Sequence, residues 1–423
     1  MKLTFFTKPV ITVLLVVLSL GLKSQEILSD KVFNNNIYTV IFGVKGVELS
    51  NPAIPLYGFA QFSLVFDELG ELNSNLSYKI IHCNADWTQS TLRPQEYFDG
   101  FWKEAITSYD YSFNTVVPFT NFSVTFPRSG QKFKRSGNYI IQVFNTDDES
   151  DIFFQARFLV YEEAISLKSE IKQPDRMFLR SSHQEVDVYA YHQGFPFNNA
   201  RSEVQLSIIQ NGSWETAIHK LRPRFLKPNE LDFNYDTNNT FAAGNEYRYF
   251  DLRDLSYNSE RVYLMDKDKS PIYAQLYRDK SRMGMAYTLY GDINGHGVID
   301  NQMGTSPQYD ADYLQVLFSF AADYPLNEAE FYVDGRWIRS GLDPRFKLKY
   351  NKQLGQYQCL AMVKQGYYNY RYLIKEPKRK AEPYQEGSFW QTENDYQVIL
   401  YYRGITDETD RIIGYQMLNS QQP

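Results

Sequence analysis

The residue types best suited to chemistry are concentrated in one segment, Tyr78 to Trp87, which reads Tyr-Lys-Ile-Ile-His-Cys-Asn-Ala-Asp-Trp. An apolar run leads directly into His82, Cys83, Asn84, Asp86 and Trp87. Adjacent His and Cys suggest either a metal site or a thiol nucleophile with its base. Strand geometry opposes both. If Tyr78 to Cys83 is extended, side chains alternate, so His82 shares a face with Tyr78 and Ile80 while Cys83 lies with Lys79 and Ile81. Two neighbours pointing apart do not grip one zinc ion, and His183, His192, His219 and His296 are each isolated in the sequence. A cysteine nucleophile likewise needs its histidine within hydrogen-bond reach. The residues favour an architectural role: Cys83 packs as a small apolar side chain, Asn84 and Asp86 make a turn, and Trp87 caps a sandwich. Asn84, Asp86 and Trp87 are also the candidates for contact with a partner.

A second segment, Gly291 to Asp300, places Asp292, Asn294 and Gly297 at positions one, three and six of a calcium loop. His296 and Met303 then fall at positions five and twelve, where hard oxygen ligands belong. A Gly-rich connector is the favoured reading. The sequence contains no His-Glu-x-x-His, Cys-x-x-Cys, Gly-x-Ser-x-Gly or phosphate-cradling Gly-Lys loop. No catalytic residue, cofactor or metal is therefore assigned, and the protein is read as a non-enzyme. A pair of carboxylates facing across a cleft, as in glycoside hydrolysis, is not visible to this kind of search.

The elements that must position these residues are strands. Tyr and Phe number 34 and 30, and many alternate with polar residues, as in strands with one wet face. An all-β chain of about three tandem immunoglobulin-like or early-set sandwiches is expected after a signal peptide over 1–24, where Val10 to Leu22 is apolar and flanked by lysines. That run is shorter than the roughly 20 residues a spanning helix needs, so a cleaved leader, export and no membrane insertion are expected. The first sandwich is placed at 25–163, with strands near Tyr38, Gln61, Leu76, Phe122, Tyr139 and Phe153. The second is placed at 164–282, with Asn211-Gly212 as a tight-turn signal, and the third at 283–423, with 291–309 as its connector. The net charge of -6 argues against a generic grip on nucleic acid. Two cysteines, Cys83 and Cys359, are too few for a disulfide scaffold and are read as buried thiols.

An ordered series of blocks then carries a family resemblance. Lys79 to Trp87 is followed by Glu96-Tyr97-Phe98-Asp99-Gly100-Phe101, Tyr111-Ser112-Phe113-Asn114-Thr115 and Ser136-Gly137-Asn138-Tyr139. Further along come Gln210-Asn211-Gly212-Ser213-Trp214, Gly244 to Asp251, Lys364-Gln365-Gly366-Tyr367-Tyr368-Asn369-Tyr370 and Gln391-Thr392-Glu393-Asn394-Asp395-Tyr396. Together these resemble the plug protein family of the bacterial type IX secretion system. The resemblance implies a periplasmic protein, a monomer within a larger complex, that seals the periplasmic opening of the SprA-type outer-membrane translocon barrel when the channel is idle. Phe331 to Trp337 and Gly366 to Tyr372 also resemble early-set sandwiches that include glycogen-binding modules. That likeness raises a carbohydrate-binding alternative centred on Trp337.

Overall fold

The structure is a computed structural model that describes residues 26–70, 74–326, 328–339 and 341–421. The expected signal peptide lies outside the described residues. The chain is almost entirely β, as the aromatic and polar alternation predicts, and its strands form three sandwiches. Among the described residues no helix is long and apolar enough to cross a membrane.

The first sandwich sets the sheet Ile37–Val44, Phe62–Leu69, Phe119–Phe126 and Tyr109–Tyr111 against a larger sheet that includes Leu76–Cys83, Gly137–Asn145 and Asp148–Tyr161. Phenylalanines fill the space between them: Phe62, Phe126 and Phe158 meet with ring centroids 4.7–5.5 Å apart. Such contacts favour edge-on and tilted geometries and add to the burial energy.

The second sandwich differs from the expected 164–282 span. One sheet is built around Ser166–Lys172 and His183–Tyr191. The other pairs Val204–Gln210 with Asp395–Tyr402, in register from Val204 opposite Tyr402 to Gln210 opposite Tyr396, and Arg411–Asn419 completes it. Its core accordingly joins Val186, Leu206 and Phe241 to Val398, Leu400 and Ile413.

The third sandwich is therefore inserted into the second, and it begins well before residue 283. Arg248–Asp251 and Gly297–Ile299 both pair with Gly366–Lys375, so 244–282 and the supposed connector belong to its sheet. This sheet is continuous and turns a corner at Lys347–Asn351, which pairs at one end with Glu330–Asp334 and at the other with Gln356–Lys364. Asp395–Tyr402 and Arg411–Asn419, which the expected span 283–423 includes in the third sandwich, belong to the second. Alternation identifies a strand, whereas its partner is decided by tertiary packing.

A buried ion pair fastens the first sandwich to the third. Lys364 Nζ donates to Asp67 Oδ2 at 2.7 Å, and both side chains are essentially inaccessible. Tyr313 Oη and Asn121 Nδ2 each donate to Asp67 at 2.6 Å, and Gln308 O accepts from Lys364 at 2.8 Å. Burial lowers the Lys364 pKa, and the Asp67 carboxylate opposes that shift. The ammonium also sits 4.0 Å from the Phe119 ring centroid. A buried pair adds little net stability, but removing one partner leaves an uncompensated charge. Asp67→Asn is expected to lower the unfolding free energy by about 3–5 kcal/mol in chemical denaturation. A loss under about 1 kcal/mol, as for an exposed pair, would show that the pair does not fasten the sandwiches.

Candidate functional site

The segment from Tyr78 to Trp87 forms an internal joint. Leu76–Cys83 is buried along nearly its whole length because each of its faces meets a different sandwich. Tyr78 and Ile80 enter the first core, while Ile81 and Cys83 join Ile140, Leu159, Ile209, Ile399, Tyr401 and Ile412 in a separate apolar cluster between the first and second sandwiches. The alternation that separates His82 from Cys83 is thus observed. His82 lies among Tyr97 and Tyr139, and burial pulls its pKa down to about 4. Burial pushes the Cys83 thiol up to about 12. Cys83 and Cys359 are both free and buried, each in a different apolar cluster.

The loop after the strand locks onto the second sandwich. Ala85 N donates to Asp410 Oδ2 at 2.9 Å, and Asn138 bridges the seam by donating to Asn84 O and accepting from Tyr401 Oη at 2.8 Å. Gly137 has φ +148, and a Cβ there would lie 2.6 Å from His82 Nε2 and 3.3 Å from Asp410 O. That close approach explains the Ser136-Gly137-Asn138 block. Of the three candidate partner residues, Trp87 is buried, Asn84 is half-buried and Asp86 is exposed. Asp86 Oδ1 accepts from Thr88 N and Oγ1, closing the expected turn. Trp87 takes a left-handed backbone, φ +66, which is costly for an aromatic residue. Its ring is held between the Arg157 guanidinium, 4.4 Å from the centroid, and Trp214, packed edge-on at 4.8 Å.

A third joint was not read from the sequence. The segment after Glu330–Asp334 carries Arg336, Arg339 and Arg345 to the other sandwiches. Arg345 donates to Ile37 O at 2.8 Å and Arg339 to Phe42 O at 3.1 Å, both in the first sandwich. Arg336 donates to Asn51 and lies 3.9 Å from Asp395 of the second. The signal in the sequence is three arginines between Gly335 and Phe346, beside the more conspicuous Trp337. Trp337 is not an open sugar platform. Its Nε1 donates to Asn369 O at 2.7 Å, and its ring packs edge-on against Tyr368 and Phe346. Where the three sandwiches meet, a cavity of about 1000 Å³ remains, lined by residues from all of them.

Gly291 to Asp300 sits beside this cavity. Asp292 accepts from Tyr247 N and Asn294 N, and burial, reinforced by Glu246 and Glu393, raises its carboxyl to about 7. Among the described residues no group of three or more His, Cys, Asp or Glu side chains is arranged to hold a metal ion.

The residues of the first sandwich from 37 to 162 match the family model described as type 9 secretion system plug protein, first domain. The whole chain is similar to the crystal structure of a hypothetical protein from Parabacteroides merdae. The two are 31% identical, with a TM-score of 0.90, and the alignment covers 93% of this chain and all of the other. No curated protein matches. The fold defines a protein of three β-sandwiches, the first of which is a secretion-system plug domain. The chain belongs to the type IX secretion system plug protein family.

Two outcomes test the joints. Trp87→Ala removes the ring that fills the first seam and is expected to cost about 3–5 kcal/mol in unfolding free energy; an unchanged denaturation midpoint would remove Trp87 from that role. For Asp292, the native state holds a proton that the unfolded chain releases above its usual value of 3.8. Stability therefore falls as pH rises from about 4 to about 7 and then levels. Asp292→Asn abolishes this loss, so the variant should gain on the wild type between pH 5 and pH 8 in urea midpoints. A difference that is equal at both pH values would contradict the assignment.

Proposed function

We propose that this protein acts by reversible protein–protein binding, without making or breaking a covalent bond, as the periplasmic plug of a SprA-type outer-membrane translocon. It covers the opening of the barrel when the channel is idle and leaves when another state of the translocon is favoured. Membership of the plug family is the observation that carries this reading. The joints support it physically. A body that closes an aqueous opening must keep its shape, and here three sandwiches are cross-braced by buried polar contacts instead of flexible linkers. Release requires a competing partner or barrel conformation with differential affinity, since a ligand shifts an equilibrium only by that difference.

The family blocks around residue 87 are assigned an internal role in this proposal. Trp87 braces the second sandwich, and of the three candidates Asp86 alone is exposed to a partner. A stable docking face should bury on the order of 1,200–2,000 Å² in total. Deleting the protein while leaving the barrel intact is expected to make the outer membrane leakier to large solutes. Affinity capture from solubilised envelopes should return the barrel as the main partner. Unchanged permeability together with no captured barrel would sink the proposal.

A further inference from the structure

The cavity at the meeting point of the sandwiches has a chemistry that the plug role does not use. Among the described residues, the Arg157 guanidinium is held by Leu28 O and the Trp87 ring, whereas several other buried guanidinium groups are matched closely to carboxylates. Arg345 is forked onto Asp343 with contacts of 2.6–3.1 Å, Arg371 reaches Asp334 at 2.8 Å, and Arg248 is held between Asp279 and Glu386 at 2.8–3.1 Å. Such pairing is what a buried guanidinium normally requires. Arg336 and Arg339 depart from it. Their nearest carboxylates, Asp395 and Asp30, are 3.9 and 3.7 Å away, and their side chains are only 14% and 19% exposed. Arg339 Nε, fully buried, has no hydrogen-bond partner.

The surroundings favour an anion. Eight cationic side chains line the cavity against six carboxylic ones. Arg371 and Arg345 pair with Asp334 and Asp343, and Lys364 pairs with Asp67, which leaves five cations and four carboxylic groups, and burial raises one of these, Glu215, towards its uncharged form. His296 faces the same space as a neutral ring, since burial and the two arginines hold its pKa at about 2. Arg336 also packs on the Asn211-Gly212 turn. Gly212 has φ +69, and a Cβ there would lie 3.1 Å from the guanidinium. The rest of the wall includes Val44, Ile218 and Leu342, with Val47 and Leu49 exposed. A cavity of this size with a few convergent polar groups on an apolar wall is the usual form of a small-molecule site.

We propose that this cavity binds an amphiphilic oxyanion, with its acidic headgroup on Arg336 and Arg339 and its apolar body along the Val44, Leu49 and Ile218 wall. A ligand seated there touches all three sandwiches and stabilises their arrangement. Calorimetric titration of the purified mature chain with octanoate, octyl phosphate and octanamide tests this. Saturable binding of either anion without binding of the amide is the expected result, and the tighter anion identifies the headgroup as carboxylate or phosphate. Arg339→Gln should weaken binding by roughly ten-fold or more, as for loss of a charge-assisted hydrogen bond, while Lys132→Gln on the exterior leaves it unchanged. No binding of either anion at millimolar concentration overturns the proposal, as does equal binding of the amide. Both outcomes are read on the wild-type protein, so they hold even if the arginine variant fails to fold.

Discussion

The architecture depends on the pairing of Val204–Gln210 with Asp395–Tyr402. The chain leaves the second sandwich only after Thr240–Ala242 and returns to it through this ladder, so residues 244–394 are closed off at both ends. An inserted domain cannot swing like a bead on one linker, because a strand in each sheet of the parent sandwich anchors it, Thr240–Ala242 before it and Asp395–Tyr402 after it. Long-range pairing of this kind carries a loop-closure cost that local contacts do not. Here apolar burial on both faces of the returning strand opposes that cost. Val398 and Leu400 enter the second core, and Ile399 and Tyr401 enter the seam with the first.

The same two-sided burial explains the most conspicuous segment of the sequence. A strand with one wet face would alternate apolar and polar residues, whereas Ile80-Ile81-His82-Cys83 does not. The outer face of that sheet is covered by another sandwich, as strands buried on both faces require. A histidine is tolerated there because it is neutral and enclosed by Tyr97 and Tyr139. What looks like reactive chemistry in one dimension is the meeting of two cores in three.

Strand positions were legible in the sequence because period-two alternation is a local signal. So was the separation of His82 from Cys83, which follows from that period alone. The division into sandwiches was not, because nothing local marks Asp395–Tyr402 as a partner of Val204–Gln210. The buried ions were hidden for a related reason. Asp67 and Lys364 lie in ordinary strands almost three hundred residues apart and acquire meaning only when two sheets meet. Arg336 and Arg339 look like a solvated turn until Phe42, Asn51 and Asp395 are placed around them. Asn211-Gly212 did announce left-handed backbone, with φ +46 and +69, but not that an arginine would rest on the glycine.

The seams between the sandwiches differ in their chemistry, and the difference bears on which of them can yield. The first seam is largely apolar, with Trp87, Ile140 and Ile399 in a common cluster, so opening it exposes hydrocarbon to water at roughly 25 cal/mol for each Å². The contact between the first and third sandwiches includes the buried Asp67–Lys364 pair and arginine donations to backbone carbonyls. Separating charged partners in water returns much of their lost hydration, which offsets the Coulomb energy given up. An apolar seam has no such compensation. Of the two joints made by the first sandwich, the one with the third is therefore the one whose separation hydration offsets more.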